Sequence, residues 1–328
     1  MTSLNQIGPA PAPPAIVDSI LALVGGTPTV RLDRFRRGLS LESSFYLKLE
    51  QTNPGGSHKV RIAVNMVLDA ERRGLLRRGS GQTIIEGTGG NTGLGLALAA
   101  NLFGYRLVLV VPDNYSRRKI RLLEAYGAEV RLAESRRGRD AHFGLARELL
   151  RQNPGWFMPD QLVNAVNVET HARETGREIV EAFRGLDLDY FVAAAGSGGH
   201  LTGIGRTLKQ AWPKLRVCLV EPEGCDYRRA VFVPHRIQAI AIGQVPANLD
   251  LGVVDRYLGV SDGEAVETVR SLMKWEAIGV GLSSGATLAG AVKLARETGA
   301  PDRILCLAYD HVADYLDEVM PAPSGREQ

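Results

Sequence analysis

Cysteine is nearly absent from this chain, three residues in 328, an odd number with no C-x-x-C pair. That count excludes a disulfide framework and a thiolate zinc site, and places the protein in a reduced, cytoplasmic setting. Cys218 and Cys306 lie in strand-like runs and read as small core residues. Cys225, in the polar loop Glu-Gly-Cys-Asp-Tyr, reads as exposed, though no feature makes it a catalytic thiol. No charge sign prevails: 39 basic and 36 acidic residues leave a net +3, with arginines in scattered pairs such as Arg72-Arg73 and Arg77-Arg78. Such dispersal describes solvated helix faces, not a nucleic-acid surface. Long apolar runs are missing too, since the longest, Leu94 to Pro112, is broken by Asn101, Gly104 and Arg106. The N-terminus has no basic start followed by an apolar core, so neither membrane span nor leader is expected. Six histidines without H-x-x-x-H spacing give no reason to expect a metal.

What is present is an alternation. Short aliphatic or β-branched runs (Phe45 to Leu49, Thr83 to Glu86, Leu107 to Val111, Glu129 to Leu132, Tyr190 to Ala194, Arg216 to Val220, Arg303 to Ala308) are separated by longer amphipathic segments. The latter include Lys59 to Arg73, Asn91 to Leu102, Thr170 to Phe183, Ala265 to Glu276 and Ala286 to Glu297. This order predicts an α/β fold with parallel sheets flanked by helices, and the length suggests roughly two domains. Residues 1–14, polar and then Pro/Ala-rich, read as a disordered tail, and 321–328 as another.

Three glycine clusters fall at strand-to-helix junctions. In Asn53-Pro54-Gly55-Gly56-Ser57-His58-Lys59-Val60-Arg61, the first residues are turn chemistry. One of only seven lysines, against 32 arginines, then stands at a helix start behind a candidate Ser57 cap. Arginine cannot act as a neutral amine nucleophile and a desolvated lysine can, although a surface lysine is the plainer reading. The cluster Glu86-Gly87-Thr88-Gly89-Gly90-Asn91-Thr92-Gly93 offers free backbone N–H groups to a carboxylate or phosphate, with close helix-on-strand packing as the alternative. Its spacing departs from the dinucleotide fingerprint G-x-G-x-x-G. The third, Gly196-Ser197-Gly198-Gly199-His200, lacks the P-loop lysine; nucleotide hydrolysis is disfavoured and binding of a lone phosphate stays open.

Taken in this order, the clusters resemble the fold-type II pyridoxal-phosphate enzymes, and within them the cysteine synthase (O-acetylserine sulfhydrylase) and cystathionine beta-synthase family. The similarity runs from Val24-Gly25-Gly26-Thr27-Pro28 through the three clusters to Val220-Glu221-Pro222 and Gly281-Leu282-Ser283-Ser284-Gly285. It implies a tryptophan synthase beta-like architecture, with a large cofactor-binding domain from 15–49 and 160–320 and a small mobile domain at 50–159. It also implies a cofactor between the two domains and a homodimer. By the same resemblance Lys59 would hold pyridoxal 5'-phosphate as a Schiff base and Asn91 would face the ring hydroxyl. Gly196, Ser197, Gly198, Gly199 and His200 would hold the phosphate, and Ser283 would face the pyridine nitrogen, Ser284 being the alternative register. Thr88, Gly89, Gly90, Thr92 and Gln161 would take the carboxylate of a small amino-acid substrate.

The activity so implied is β-replacement. An activated serine, O-acetylserine or O-phosphoserine, would lose its β leaving group to give an aminoacrylate, and a small nucleophile would add, yielding a β-substituted alanine such as cysteine. Departures from the family pattern gather on the substrate side: Gly89 for serine, Val60 for aspartate, His200 for threonine, and Ala239 and Ala241 for glycines. They motivate two rivals, a homologue using an amine or other non-sulfide nucleophile and a β-eliminase releasing ammonia. A noncatalytic binding homologue is a more distant alternative.

Overall fold

The computed structural model describes residues 16–320 apart from Gly89 and Arg139. The tails expected at 1–14 and 321–328, and the substrate-loop position Gly89, lie outside the described residues. Among the described residues nine strands form two sheets. The larger uses β1 (Thr29–Arg31), β2 (Ser44–Lys48), β6 (Tyr190–Ala194), β7 (Arg216–Pro222), β8 (Arg256–Val260) and β9 (Arg303–Leu307), in the order β1-β2-β9-β6-β7-β8. The smaller is β3 (Thr83–Gly87), β4 (Arg106–Pro112) and β5 (Glu129–Ala133), in that order. All neighbours are parallel except the β1–β2 pair at one edge.

Parallel sheets need both faces covered, so their central strands are apolar throughout rather than alternating. β3 is buried at every position, and Phe191, Val192, Ala193 and Ala194 of β6 are fully enclosed. On one face of the larger sheet lies the helix Leu282–Thr298, whose small residues Gly285 and Gly290 let it pack closely on Ala265 and Val220. The other face takes the helix Gly199–Ala211. The helices Lys59–Arg72 and Asn91–Phe103 cover the smaller sheet.

The sequence pattern predicts one helix from Thr170 to Phe183, and the structure differs there. An α-turn at Val166–Thr170 runs into a π-helical segment, His171–Gly176, before Arg177–Ala182 resumes the α form. The cause is close approach: a Cβ on Gly203 would overlap the Val168 carbonyl and one on Gly176 would press on Thr207, so the widened turn accommodates the neighbouring helix. Cys225 also departs from expectation. It is buried, because the loop folds back through the Asp226–Val231 bridge and sets its sulfur 3.8 Å from the Val233 carbonyl.

Candidate active site

Three loops leave the carboxyl ends of β3, β6 and β9 and meet across the space between the two sheets, where ligands of open α/β folds collect. They enclose a cavity of about 690 Å³, within the range of small-molecule and cofactor sites. Of the residues singled out in the sequence, Lys59, Thr88, Gly90, Asn91, Thr92 and Gln161 line it. So do Gly196, Ser197, His200 and Ser283. Gly198 and Gly199 are not among the lining residues; a Cβ on the first would press on Leu249 and on the second would overlap Asn167, so the turn has no room for a side chain at either position.

Lys59 opens its helix, and Ser57 Oγ accepts the Lys59 backbone N–H at 3.4 Å from just outside that start. One side of the lysine faces the cavity and the rest is enclosed by protein. Desolvation brings its amine down from 10.5 to about 8, against the opposing pull of the Asp310 charge, so a reactive neutral fraction exists near neutrality. Its Nζ lies 3.3 Å from Ser197 Oγ, which also accepts from Asn167 Nδ2 at 3.0 Å. With both lone pairs engaged, the Ser197 hydroxyl hydrogen is left to donate. It sits where the 13-residue helix Gly199–Ala211 begins, and Gly198, in the left-handed region at φ 82°, caps that helix without a side chain. Uncapped N–H groups and a hydroxyl donor make an anion seat.

The other walls are ordered by groups outside the glycine clusters. Thr92 Oγ1 donates to Gln161 Oε1 at 2.7 Å, and the buried Glu86 accepts the backbone N–H groups of Asp160 and Gln161, fixing that turn. Burial raises the Glu86 carboxyl to about 8. Asn91 Nδ2 donates to Asp310 Oδ2 at 2.7 Å. Ser284 Oγ is occupied by the Tyr309 backbone N–H at 2.9 Å, whereas Ser283 lines the cavity. Ala239 and Ala241 line it too, both at positive φ, 67° and 45°.

Sequence reasoning did not find Glu86, Asn167, Tyr309 or Asp310 as site-forming groups. The structure also joins His58 and His171 to His200 and Tyr309 in a buried cluster, with contacting ring centroids 5.0–6.0 Å apart. Two of these rings would be hard to pair from sequence, since nothing local links positions 58 and 200. Among the described residues no set of three His, Cys, Asp or Glu could hold a metal ion, and no helix is long and apolar enough to cross a membrane.

The donor set fits pyridoxal phosphate: a neutralisable amine for its aldehyde, the Ser197 turn for its phosphate, and an amide and a hydroxyl for the polar edges of its ring. Comparison with known proteins agrees. A family model described as pyridoxal-phosphate dependent enzyme matches residues 20–310. Cysteine synthase of Staphylococcus aureus is 36% identical over 301 residues, 92% of this chain and 96% of that protein. O-ureido-L-serine synthase of Streptomyces lavendulae is 40% identical over 294 residues, 89% of this chain and 88% of its own. Among solved structures, an O-ureido-L-serine synthase superposes with a TM-score of 0.88 at 38% identity, over 95% of this chain and 98% of the other. Cysteine synthase from Entamoeba histolytica gives 0.90 at 30%, over 98% and 96%.

Proposed function

The chain belongs to the pyridoxal-phosphate-dependent enzymes, with the fold-type II architecture, and from that premise we propose that it makes a β-substituted alanine from an activated serine, with Lys59 as the cofactor-bearing residue. The observation that carries the reading is the position of Lys59, an amine held at about 8 between two glycine turns and donating to the Ser197 hydroxyl. When bound, the cofactor supplies an aldehyde carbon and an electron-withdrawing ring.

The protein's own groups then divide the work. Ser197 and the start of the helix Gly199–Ala211, with His200 beside them, hold the phosphate. Asn91 would hold the ring oxygen and Ser283 the ring nitrogen, and a serine hydroxyl there would confer less positive charge on that nitrogen than a carboxylate. Thr88, Gly90, Thr92 and Gln161 receive the substrate carboxylate, Thr92 and Gln161 already joined by their mutual hydrogen bond. Lys59, once free and neutral, takes the α proton at Nζ. Residues 50–159 are proposed to close over the substrate as a unit, in a cytoplasmic homodimer.

A non-sulfide nucleophile is the second reading, favoured by the 40% identity to O-ureido-L-serine synthase and by the methyl groups of Ala239 and Ala241 on the cavity wall. Borohydride reduction of the loaded enzyme followed by peptide mapping should label Lys59 alone, and Lys59→Ala should abolish turnover. An unlabelled Lys59 in folded protein would overturn the assignment. O-acetylserine and O-phosphoserine, each offered with sulfide and with a panel of amines, separate the two readings by product mass.

A further inference from the structure

Asp310 sits just past the end of β9, 2% exposed, in none of the motifs that mark the site. Its Oδ2 accepts from Asn91 Nδ2 and from the Tyr315 hydroxyl, each at 2.7 Å. An oxygen that accepts two donors selects the nitrogen of the Asn91 amide over its oxygen, and so fixes which way that amide faces. One of the two amide hydrogens is consumed; the second remains, and Asn91 lines the cavity. The carboxylate cannot swing aside, because its Oδ1 is packed against Gly281, where a Cβ would overlap it. Gly281 heads the helix that carries Ser283. A single buried side chain thus braces the two elements assigned to opposite edges of the cofactor ring. Burial drives the Asp310 carboxyl upward, and the Tyr315 and Asn91 donors offset part of that shift.

We propose that Asp310 is a positioning residue that directs the second N–H of Asn91 at the cofactor's ring oxygen. The inference rests on the reading of Lys59 as the cofactor lysine. A ring oxygen that receives an N–H is favoured as the anion, which absorbs in the visible; without that donor the protonated form, absorbing in the near ultraviolet, gains.

The test is a double-mutant cycle read by the absorption of the reconstituted enzyme at one pH, with Tm recorded beside it. Asp310→Ala should lower the ratio of visible to near-ultraviolet bands by about threefold or more, the effect of roughly half a pKa unit at the ring oxygen. In an Asn91→Ala background the same change should add nothing, because the path through Asn91 is already cut. A wild-type ratio in Asp310→Ala, or an equal further shift in the Asn91→Ala background, would overturn the proposal. Should alanine at 310 fail to fold, Asp310→Leu fills the volume without an acceptor and enters the same cycle. Borohydride labelling of wild type keeps the two failures apart: an unlabelled Lys59 removes the functional reading, while a labelled Lys59 with an unmoved ratio removes only the role of Asp310.

Discussion

Two buried polar clusters flank the first turn of the helix Lys59–Arg72, and they solve burial in opposite ways. On one side Arg61, fully enclosed, makes paired hydrogen bonds to Glu50 at 2.8 and 2.9 Å and to Glu178 at 2.6 and 2.8 Å. Thr27 donates to Glu50 at 2.6 Å, Lys48 bridges to Glu178 at 2.7 Å, and the backbone N–H groups of Gly25 and Gly26 reach Asn53 and Glu178. On the other side His58 and His200 pack against Tyr309 and against the ring of His171, and His58 Nε2, His171 Nε2 and both nitrogens of His200 have no hydrogen-bond partner. Where partners are supplied, charge survives burial. Where they are not, the groups go neutral, and all three imidazoles are pushed down, His200 to about 3, first by desolvation and then by nearby positive charge, that of Lys59 for His58 and His200 and that of His200 ahead of Lys59 for His171. The first cluster anchors the helix that presents Lys59; the second surrounds that amine without adding positive charge.

The ionic side should break hardest. Arg61→Ala leaves Glu50, itself fully buried, without its counter-charge, and removing one partner of a buried pair costs about 3–5 kcal/mol. A urea melt of Arg61→Ala should show a loss of that size. A change below about 1 kcal/mol would mean that Lys48 and Thr27 carry the carboxylates unaided.

The neutral side should answer to pH instead. For each of these histidines the folded form refuses a proton that the unfolded chain accepts below about 6.5, so stability is intact above that value and drains away as pH falls toward the folded pKa. In the cofactor-free protein His200 alone should withhold about 2 kcal/mol at pH 5, from the gap between 6.5 and its folded value of about 3. Glu86, raised to about 8, runs the other way across this range, so the readout is the difference between wild type and His200→Phe in urea midpoints at pH 7 and pH 5. His200→Phe should lose less on acidification. Parallel losses in both proteins would show that the His200 ring is not held neutral.

This contrast also explains what could be read from the chain in advance. The α/β alternation and the three glycine turns are local signals, and the strands and helices around the cavity follow them closely. Lys59 and Asn91 stand next to those turns, so their approach to the cavity was legible as well. Arg61 and Gly25 to Thr27 were visible as matched positions, but their common purpose appears only when Glu50 and Glu178, 128 positions apart, meet at one guanidinium. Asp310, Glu86 and Asn167 carry no pattern of their own; each acts on a loop supplied by a distant part of the chain. The burial of Cys225 and the π turn at His171 came from tertiary contacts that residue type and periodicity do not encode.

The smallest expected effect concerns the cavity wall at Ala239 and Ala241, which packs on the turn leading into Ser197. Ala239 and Ala241 adopt left-handed φ values where the family resemblance shows glycine, and an L-residue there pays about 1–2 kcal/mol in steric strain. Glycine relieves that strain while giving the unfolded chain more freedom, which returns part of the gain, so a net stabilisation of about 0.5–1 kcal/mol is expected for Ala239→Gly. Ala277, at φ 57° after the helix Asp262–Glu276, provides a comparison away from the cavity. If both glycine variants raise Tm but only Ala239→Gly changes the ratio of products formed from sulfide and from amines, the strained wall governs which nucleophile reaches the substrate. If Ala239→Gly leaves Tm and product ratio where they were, the alanine is held without strain by the Gly196 turn, whose Cα lies so close to the Ala239 carbonyl that a Cβ would collide with it.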